Sequence, residues 1–294
     1  MDIFSDIKRT FKHGSALTRL IYINLGVFLV VQIVGVGFYL TGQSNILPDL
    51  LSVPSNIPEI LKRPWTPVTY MFLHTGFIHL LFNILGLYWF GKLFLNRLEG
   101  SKLLSVYLLG GLSGAFFYVV SYNIFPVFES VNGLLLGASA SVFAILVAIA
   151  FYDPNNEIHL SFIGSFQLKY IALFYVLLSV IGISATNPGG NIAHLGGAFW
   201  GWFYIFQLRK GKDMGAGFVK YLDKIADSIQ NQFKPKNNLK VTFKQPPPRD
   251  DYEYNRLKKT EQEEVNRILE KIGKRGYDSL SKSEKELLFK QGEK

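Results

Sequence analysis

The chain has 294 residues, 49% hydrophobic and 15% aromatic, with a formal net charge of +9 and no cysteine. The lack of cysteine excludes disulfides, thiolate nucleophiles and zinc–thiolate sites. Basic residues spread along the chain and mixed with acids do not make the clustered patch of a nucleic-acid binder, so no nucleic-acid partner is expected.

Charge and hydropathy divide the chain instead. Nineteen of the 31 Lys and Arg and 14 of the 22 Asp and Glu follow residue 210. A bilayer core needs about 20 mostly apolar residues per helix, and six spans are predicted before that point, at about 20–40, 77–96, 101–123, 139–152, 168–184 and 192–208. The first is long for a signal-peptide core and lacks a convincing cleavage site, so it is expected to stay in the mature chain. Between the first two spans, residues 41–76 are apolar but carry Pro48, Pro54, Pro58, Pro64 and Pro67, which suits an interfacial loop better than a crossing. The fourth span is short and ends at Asp153-Pro154. It is viable only if other helices surround it. The expected fold class is all-α, a polytopic six-helix membrane bundle with a small helical soluble tail.

The tail begins with residues 215–233, where Phe218, Leu222, Ile225 and Ile229 recur at helical spacing. An amphipathic helix on the inner leaflet fits that pattern. Pro246-Pro247-Pro248 makes a stiff linker. The last forty residues read as a helical hairpin, with Val265, Ile268, Leu269 and Ile272 on one face and Gly273 or Gly276 as the terminator. Ser281-Lys282-Ser283-Glu284 is a capping box opening the second helix. The expected boundaries are 1–212 for the membrane domain, 213–254 for the juxtamembrane helix and linker, and 255–294 for the hairpin. The tail is a candidate docking site for a cytoplasmic partner.

Lys8, Arg9, Lys12 and Arg19 precede the first span, Arg97 and Lys102 link the second and third, and Arg209, Lys210 and Lys212 follow the sixth. The positive-inside rule then predicts that both termini are cytoplasmic. Spans two, four and six start on the outer side, and each carries a polar residue near its start: His79 and Asn83, Ser139, and His194. An ionisable residue inside a membrane is costly and marks a functional site by default. A serine and a histidine at one depth suggest a nucleophile and its general base.

Small residues offer a way to join them. Gly197 and Gly201 form a small-xxx-small pattern on span six, and Ala140, Ala144 and Ala148 extend the same spacing on span four. Packing these faces brings Ser139 toward His194. The alternative is that the small residues are membrane packing alone, with Ser139 bonded back to its own helix. His79 and Asn83 share one helix face and both can donate to an oxyanion. A metal reading through His74, His79 and His194 is disfavoured, because no carboxylate is near and a five-residue offset does not stack two rings. No metal or cofactor is expected.

These motifs together resemble the rhomboid family of intramembrane serine proteases, over roughly residues 15–210. The pattern is His74-x4-His79-x3-Asn83, then Gly137-x-Ser139-x, then Ala193-His194-x2-Gly197-x3-Gly201, in order on the expected spans. The resemblance implies a rhomboid-like six-helix bundle and a Ser139–His194 dyad. It implies oxyanion stabilisation by His79, Asn83 and the Ser139 backbone N–H, with Phe143 supporting the histidine. Trp65-Thr66 stands where many members carry Trp-Arg, Phe143 where a tyrosine is common, and Ala140 where the motif has glycine. It further implies a serine endopeptidase of a bacterial plasma membrane that cuts transmembrane-helix substrates near their outer end. Two other readings are carried: a non-catalytic relative that binds transmembrane helices, and a transporter. A transporter would place its ionisable groups nearer mid-membrane.

Overall fold

The computed structural model describes residues 3–160, 164–185, 187–233 and 251–292. It comprises two compact units, Met1–Phe233 and Lys234–Lys294. The first begins with a short amphipathic helix, α1 (Ile3–His13), and the first span, α2 (Ala16–Leu40). Ser15 caps α2 by accepting from the Thr18 N–H. Arg19 donates to the carbonyls of Phe11 and Lys12, closing the end of α1 against α2.

The proline-rich segment does not cross. It folds into short helices α3 (Leu47–Leu51), α4 (Ile57–Lys62) and α5 (Thr66–Thr69), with strand β1 (Val53–Pro54) between the first two. The remaining spans are α6 (Phe77–Leu95), α7 (Gly100–Ile124), α8 (Ser139–Tyr152), α9 (Leu168–Gly182) and α10 (Pro188–Arg209). The all-α, six-helix expectation is therefore met. By length and composition α2, α6 and α7 are each apolar enough to cross a membrane, while α8 and α9 are shorter apolar helices. Helices α6, α8 and α9 start where the apolar runs do, whereas α2, α7 and α10 start one to four residues earlier. The early starts are set by caps outside the apolar runs, such as Asn187, which precedes α10 and accepts from the Gly190 N–H.

The short fourth span is the centre of the bundle, packed against α6, α7, α9 and α10. Nine of its fourteen residues are buried. Helix-on-helix contact is close because small residues meet backbone. Gly197 lies against the Ala140 carbonyl and Gly201 against the Ala144 carbonyl. The same device recurs on α7, which the sequence reading overlooked. Gly110 faces Ala144, Gly114 faces Ala140, and the Ser113 hydroxyl donates to the Gly196 carbonyl at 2.7 Å.

At one end of the bundle, the loop after α2 clamps the segment that leads into α8. Strand β1 pairs antiparallel with β2 (Leu134–Leu135). Ser55 exchanges bonds with Gly133 in both directions, and the Gly137 N–H donates to the Tyr70 carbonyl at 2.9 Å. Gly137 has φ +115, a backbone conformation that residues with a side chain rarely adopt. The loop itself is anchored without an arginine after Trp65: Trp65 Nε1 donates to the Leu50 carbonyl, Thr66 Oγ1 to the Arg63 carbonyl and Thr69 Oγ1 to the Leu51 carbonyl. Two buried tyrosines of the loop region and α7 complete the anchor. Tyr70 donates to the Gly111 carbonyl at 2.6 Å, and Tyr107, itself bonded by Asn24, donates to the Met71 carbonyl at 3.0 Å. Tyr70→Phe is expected to lower stability by about 1 kcal/mol, seen as a lower unfolding midpoint in detergent. An unchanged midpoint would remove the anchoring role.

The opposite end collects most of the bundle's basic residues, with Lys62 and Arg63 on the loop side. Arg97 pairs with Asp153 at 2.8 Å, and Arg209 donates to the Phe151 carbonyl. A hairpin unforeseen from the sequence, β3 (Glu157–Leu160) with β4 (Gly164–Gln167), joins α8 to α9 at this end. Asp213 caps α11 (Ala216–Phe233) by accepting from the N–H groups of Gly215 and Ala216, and takes the Tyr204 hydroxyl as well. Along α11, Phe218 and Leu222 are half-buried and Ile225 is exposed. The side chain of Ile229 and the Pro246-Pro247-Pro248 linker lie outside the described residues.

The second unit is a helical hairpin of α12 (Asp251–Arg275) and α13 (Lys282–Gly292). Helix α12 is longer than its apolar stripe, in which Val265 and Ile272 are half-buried and Leu269 is exposed. Ile268 and Leu280 are buried, and Gly276, at φ +75, terminates α12. The capping box is formed: the Ser281 N–H donates to Glu284 Oε2 at 2.7 Å, and the Glu284 N–H to Ser281 Oγ. That backbone N–H, helped by Lys271 at 2.9 Å, holds the Glu284 carboxyl down at about 2.

Candidate active site

Three helices carry the polar residues singled out in the sequence. Ser139 is the first residue of α8, His79 the third of α6, and His194 the seventh of α10. Their entry from one end of the bundle follows from the alternating direction of the spans. Close approach of α8 and α10 through Ala140–Gly197 then brings Ser139 Oγ to 2.8 Å from His194 Nε2. The hydroxyl is bonded to the imidazole rather than to its own helix.

The imidazole is held on two further sides. Phe143, one turn along α8 from Ser139, stacks on it with centroids 4.2 Å apart and planes 10° from parallel. Its Nδ1 lies 3.3 Å from the Ser179 hydroxyl of α9. Ser179 was not anticipated: a lone serine in an apolar helix usually bonds back to its own turn, so the sequence carries no signal for it.

His74 and His79 occupy the junction between the loop, α6 and the turn before Ser139. His74 is fully buried. Its Nε2 accepts from the Ala138 N–H at 3.4 Å and its Nδ1 lies 3.3 Å from the Phe72 carbonyl. Since a carbonyl only accepts, Nδ1 carries the proton and the ring is a fixed strut between two backbone segments. The His79 ring lies edge-on to His74, 5.0 Å between centroids. It also covers the face of Gly137, where any side chain would collide with it. Asn83 is buried, and its amide nitrogen donates to the His79 carbonyl at 2.8 Å. That nitrogen has two hydrogens, so the second is left for a ligand. Among the described residues no group of three His, Asp or Glu side chains has metal-holding geometry.

A cavity of about 380 Å³ opens beside the serine, between α6, α8 and α9. Ser139 and Asn83 lie in its polar part, and Phe82, Trp89, Val142 and Leu146 form apolar wall. A hydroxyl bonded to an imidazole, facing a cavity that also presents amide N–H, has the parts needed for acyl transfer.

Comparison with known proteins identifies the family of the bundle that carries these residues. Residues 61–211, just over half of the chain, match the Rhomboid domain, and residues 250–290 match a family of unknown function (DUF6576). RHOMBOID-like protein 12, mitochondrial, from Arabidopsis thaliana is 27% identical over 205 residues, covering 66% of this chain and 58% of that protein. Rhomboid-like protein 11, chloroplastic, from the same plant is 27% identical over 222 residues, 71% of each chain. Rhomboid protease GluP of Bacillus subtilis (strain 168) is 30% identical over 145 residues, 49% of this chain and 26% of that protein. This chain thus spans little more than half of the first of these relatives. With a matching domain over residues 61–211 and the six-helix membrane bundle to go with it, the protein belongs to the rhomboid family.

Proposed function

We propose that this protein is an intramembrane serine endopeptidase acting through a Ser139–His194 dyad on transmembrane-helix substrates. The observation that carries the reading is the 2.8 Å contact between Ser139 Oγ and His194 Nε2 at the mouth of the cavity. Ser139 Oγ attacks the substrate carbonyl and its proton passes to His194 Nε2. His194 then returns that proton to the leaving amine, and water completes hydrolysis of the acyl-enzyme. The oxyanion is held by the Ser139 N–H at the start of α8, by His79 and by the second N–H of Asn83. The helix dipole of α8 adds positive potential there. Asn83→Ala is expected to lower kcat about 100-fold or more with little change in KM; wild-type turnover by that variant would sink its oxyanion role.

Helix length explains how water reaches the site. Fourteen residues of α8 span about 21 Å against a hydrocarbon core of about 30 Å. A helix ending at one interface therefore begins roughly 10 Å inside the other, within reach of solvent under the loop. The cavity faces sideways between α6 and α9, which suits a transmembrane helix entering from lipid. Such a helix hides its carbonyls in internal bonds, so the target must unwind locally, as glycine or proline allows. Residence in a bacterial plasma membrane is part of the reading, and cytoplasmic placement of both termini is supported by Arg97, Lys102, Arg209, Lys210 and Lys212 at the far end of the bundle.

The test is labelling of the purified, detergent-solubilised protein with a fluorophosphonate probe. Wild type should label, and both Ser139→Ala and His194→Ala should not. A folded wild type that stays unlabelled would replace this reading with that of a non-catalytic helix-binding relative.

A further inference from the structure

Helix α9 has one polar residue in an unexpected place. Its buried residues are Leu168, Ala172 and Ser179, whereas Leu173, Phe174, Leu177, Leu178, Val180 and Ile181 face outward. Packing alone at position 179 would be served by alanine. The Ser179 hydroxyl instead makes two contacts, 3.0 Å to the Tyr175 carbonyl and 3.3 Å to His194 Nδ1. A hydroxyl has one hydrogen, and the carbonyl can only accept it. Toward His194, Ser179 can then act only as acceptor, so Nδ1 bears the ring proton and Nε2 presents a lone pair to Ser139.

We infer that Ser179 is the positioning residue that holds His194 in its Nδ1–H tautomer and sets its ring orientation, through a chain ending on the Tyr175 carbonyl. The inference deepens the proteolytic reading and rests on it for its kinetic consequence. Phe143 fixes the plane of the imidazole, but stacking is blind to a ring flip and to which nitrogen carries the proton. The Ser179 oxygen distinguishes both. During attack the Ser139 proton moves to Nε2, and the imidazolium forms while its Nδ1–H still donates to Ser179. Ser179 neither gains nor loses a proton. Its oxygen, turned to the ring by the bond to Tyr175, stabilises the new charge without a carboxylate. Tyr175 also packs edge-on against Phe143, 6.0 Å between centroids, so one turn of α9 supports both restraints on the ring.

Two readouts on the full-length protein test this. The first is the ¹⁵N spectrum of the histidine side chains, with His194 assigned by its loss in His194→Ala. Wild type should show Nδ1 protonated, Ser179→Ala should lose that single tautomer, and Ser179→Thr, which keeps the hydroxyl, should retain it. The second is cleavage of a model transmembrane substrate. Ser179→Ala should lower kcat about 10- to 100-fold with KM unchanged, and Ser179→Thr should restore most of it. An unchanged tautomer in a folded Ser179→Ala protein would overturn the inference, whatever the activity. So would normal kcat in Ser179→Ala beside an active wild type, and the proteolytic reading would survive. A wild type without activity whose tautomer still depends on Ser179 would overturn the proteolytic reading and leave the positioning role standing.

Discussion

Cleavage by His194→Ala is expected to fall by about 10⁴-fold or more in kcat, with KM close to that of wild type. The imidazole is bonded to Ser139 at 2.8 Å and takes no part in the apolar wall of the cavity, so its removal disarms the hydroxyl and leaves substrate binding in place. Ser139→Ala should be as damaging. The double variant should be no worse than either single one, because groups that act as a unit lose their whole effect together. What persists should come from the oxyanion donors and from binding, about 10³-fold over water. Single-turnover cleavage of a model transmembrane substrate measures all three. Multiplicative losses in the double variant would mean that Ser139 and His194 act in separate steps, and the dyad would be wrong.

Gly197→Val is expected to cost about 3–5 kcal/mol or to prevent folding outright. A side chain at Gly197 would collide with the Ala140 carbonyl oxygen, and one at Gly201 with the Ala144 carbonyl. These are backbone atoms of the central helix and cannot swing aside as a side chain could, so α8 and α10 must separate. The same separation stretches the Ser139–His194 contact. Fluorophosphonate labelling should then fall even below the unfolding midpoint. Gly26→Ala is the control, since nothing lies within 4 Å of the added carbon and the residue sits inside α2. It should be neutral or slightly stabilising, as alanine suits a helix interior better than glycine. Thermal unfolding in detergent compares the two, and equal midpoints for Gly197→Val and wild type would remove the close-packing account.

Hydropathy alone located six helices, because a residue in lipid must be apolar whatever its partners. Its prolines, rather than its hydropathy, marked 41–76 as non-crossing, and the capping box at Ser281 and a glycine terminator, left open between Gly273 and Gly276, followed from short-range chemistry that any chain shows locally. The alternation of span direction placed His79, Asn83, Ser139 and His194 at one end, and the spacing of Ala140, Ala144, Gly197 and Gly201 named the seam that joins them. These are statements about periodicity and sign of charge, which survive without coordinates.

Tertiary structure decided what depends on orientation. Whether Ser139 would bond its own helix or an imidazole 55 residues away turns on an ångström of helix approach, and only the seating of Gly197 on the Ala140 carbonyl settles it. The strut made by His74, the loop anchors at Trp65, Thr66 and Tyr70, and the β3–β4 hairpin are pairings across long separations, for which neither residue alone carries a signal. Ser179 is the sharpest case. In sequence it is one hydroxyl in a greasy helix, free to satisfy itself on its own turn. Its second contact exists because α9 packs on α10 with that hydroxyl level with His194, and level is a property of two helices that neither sequence contains.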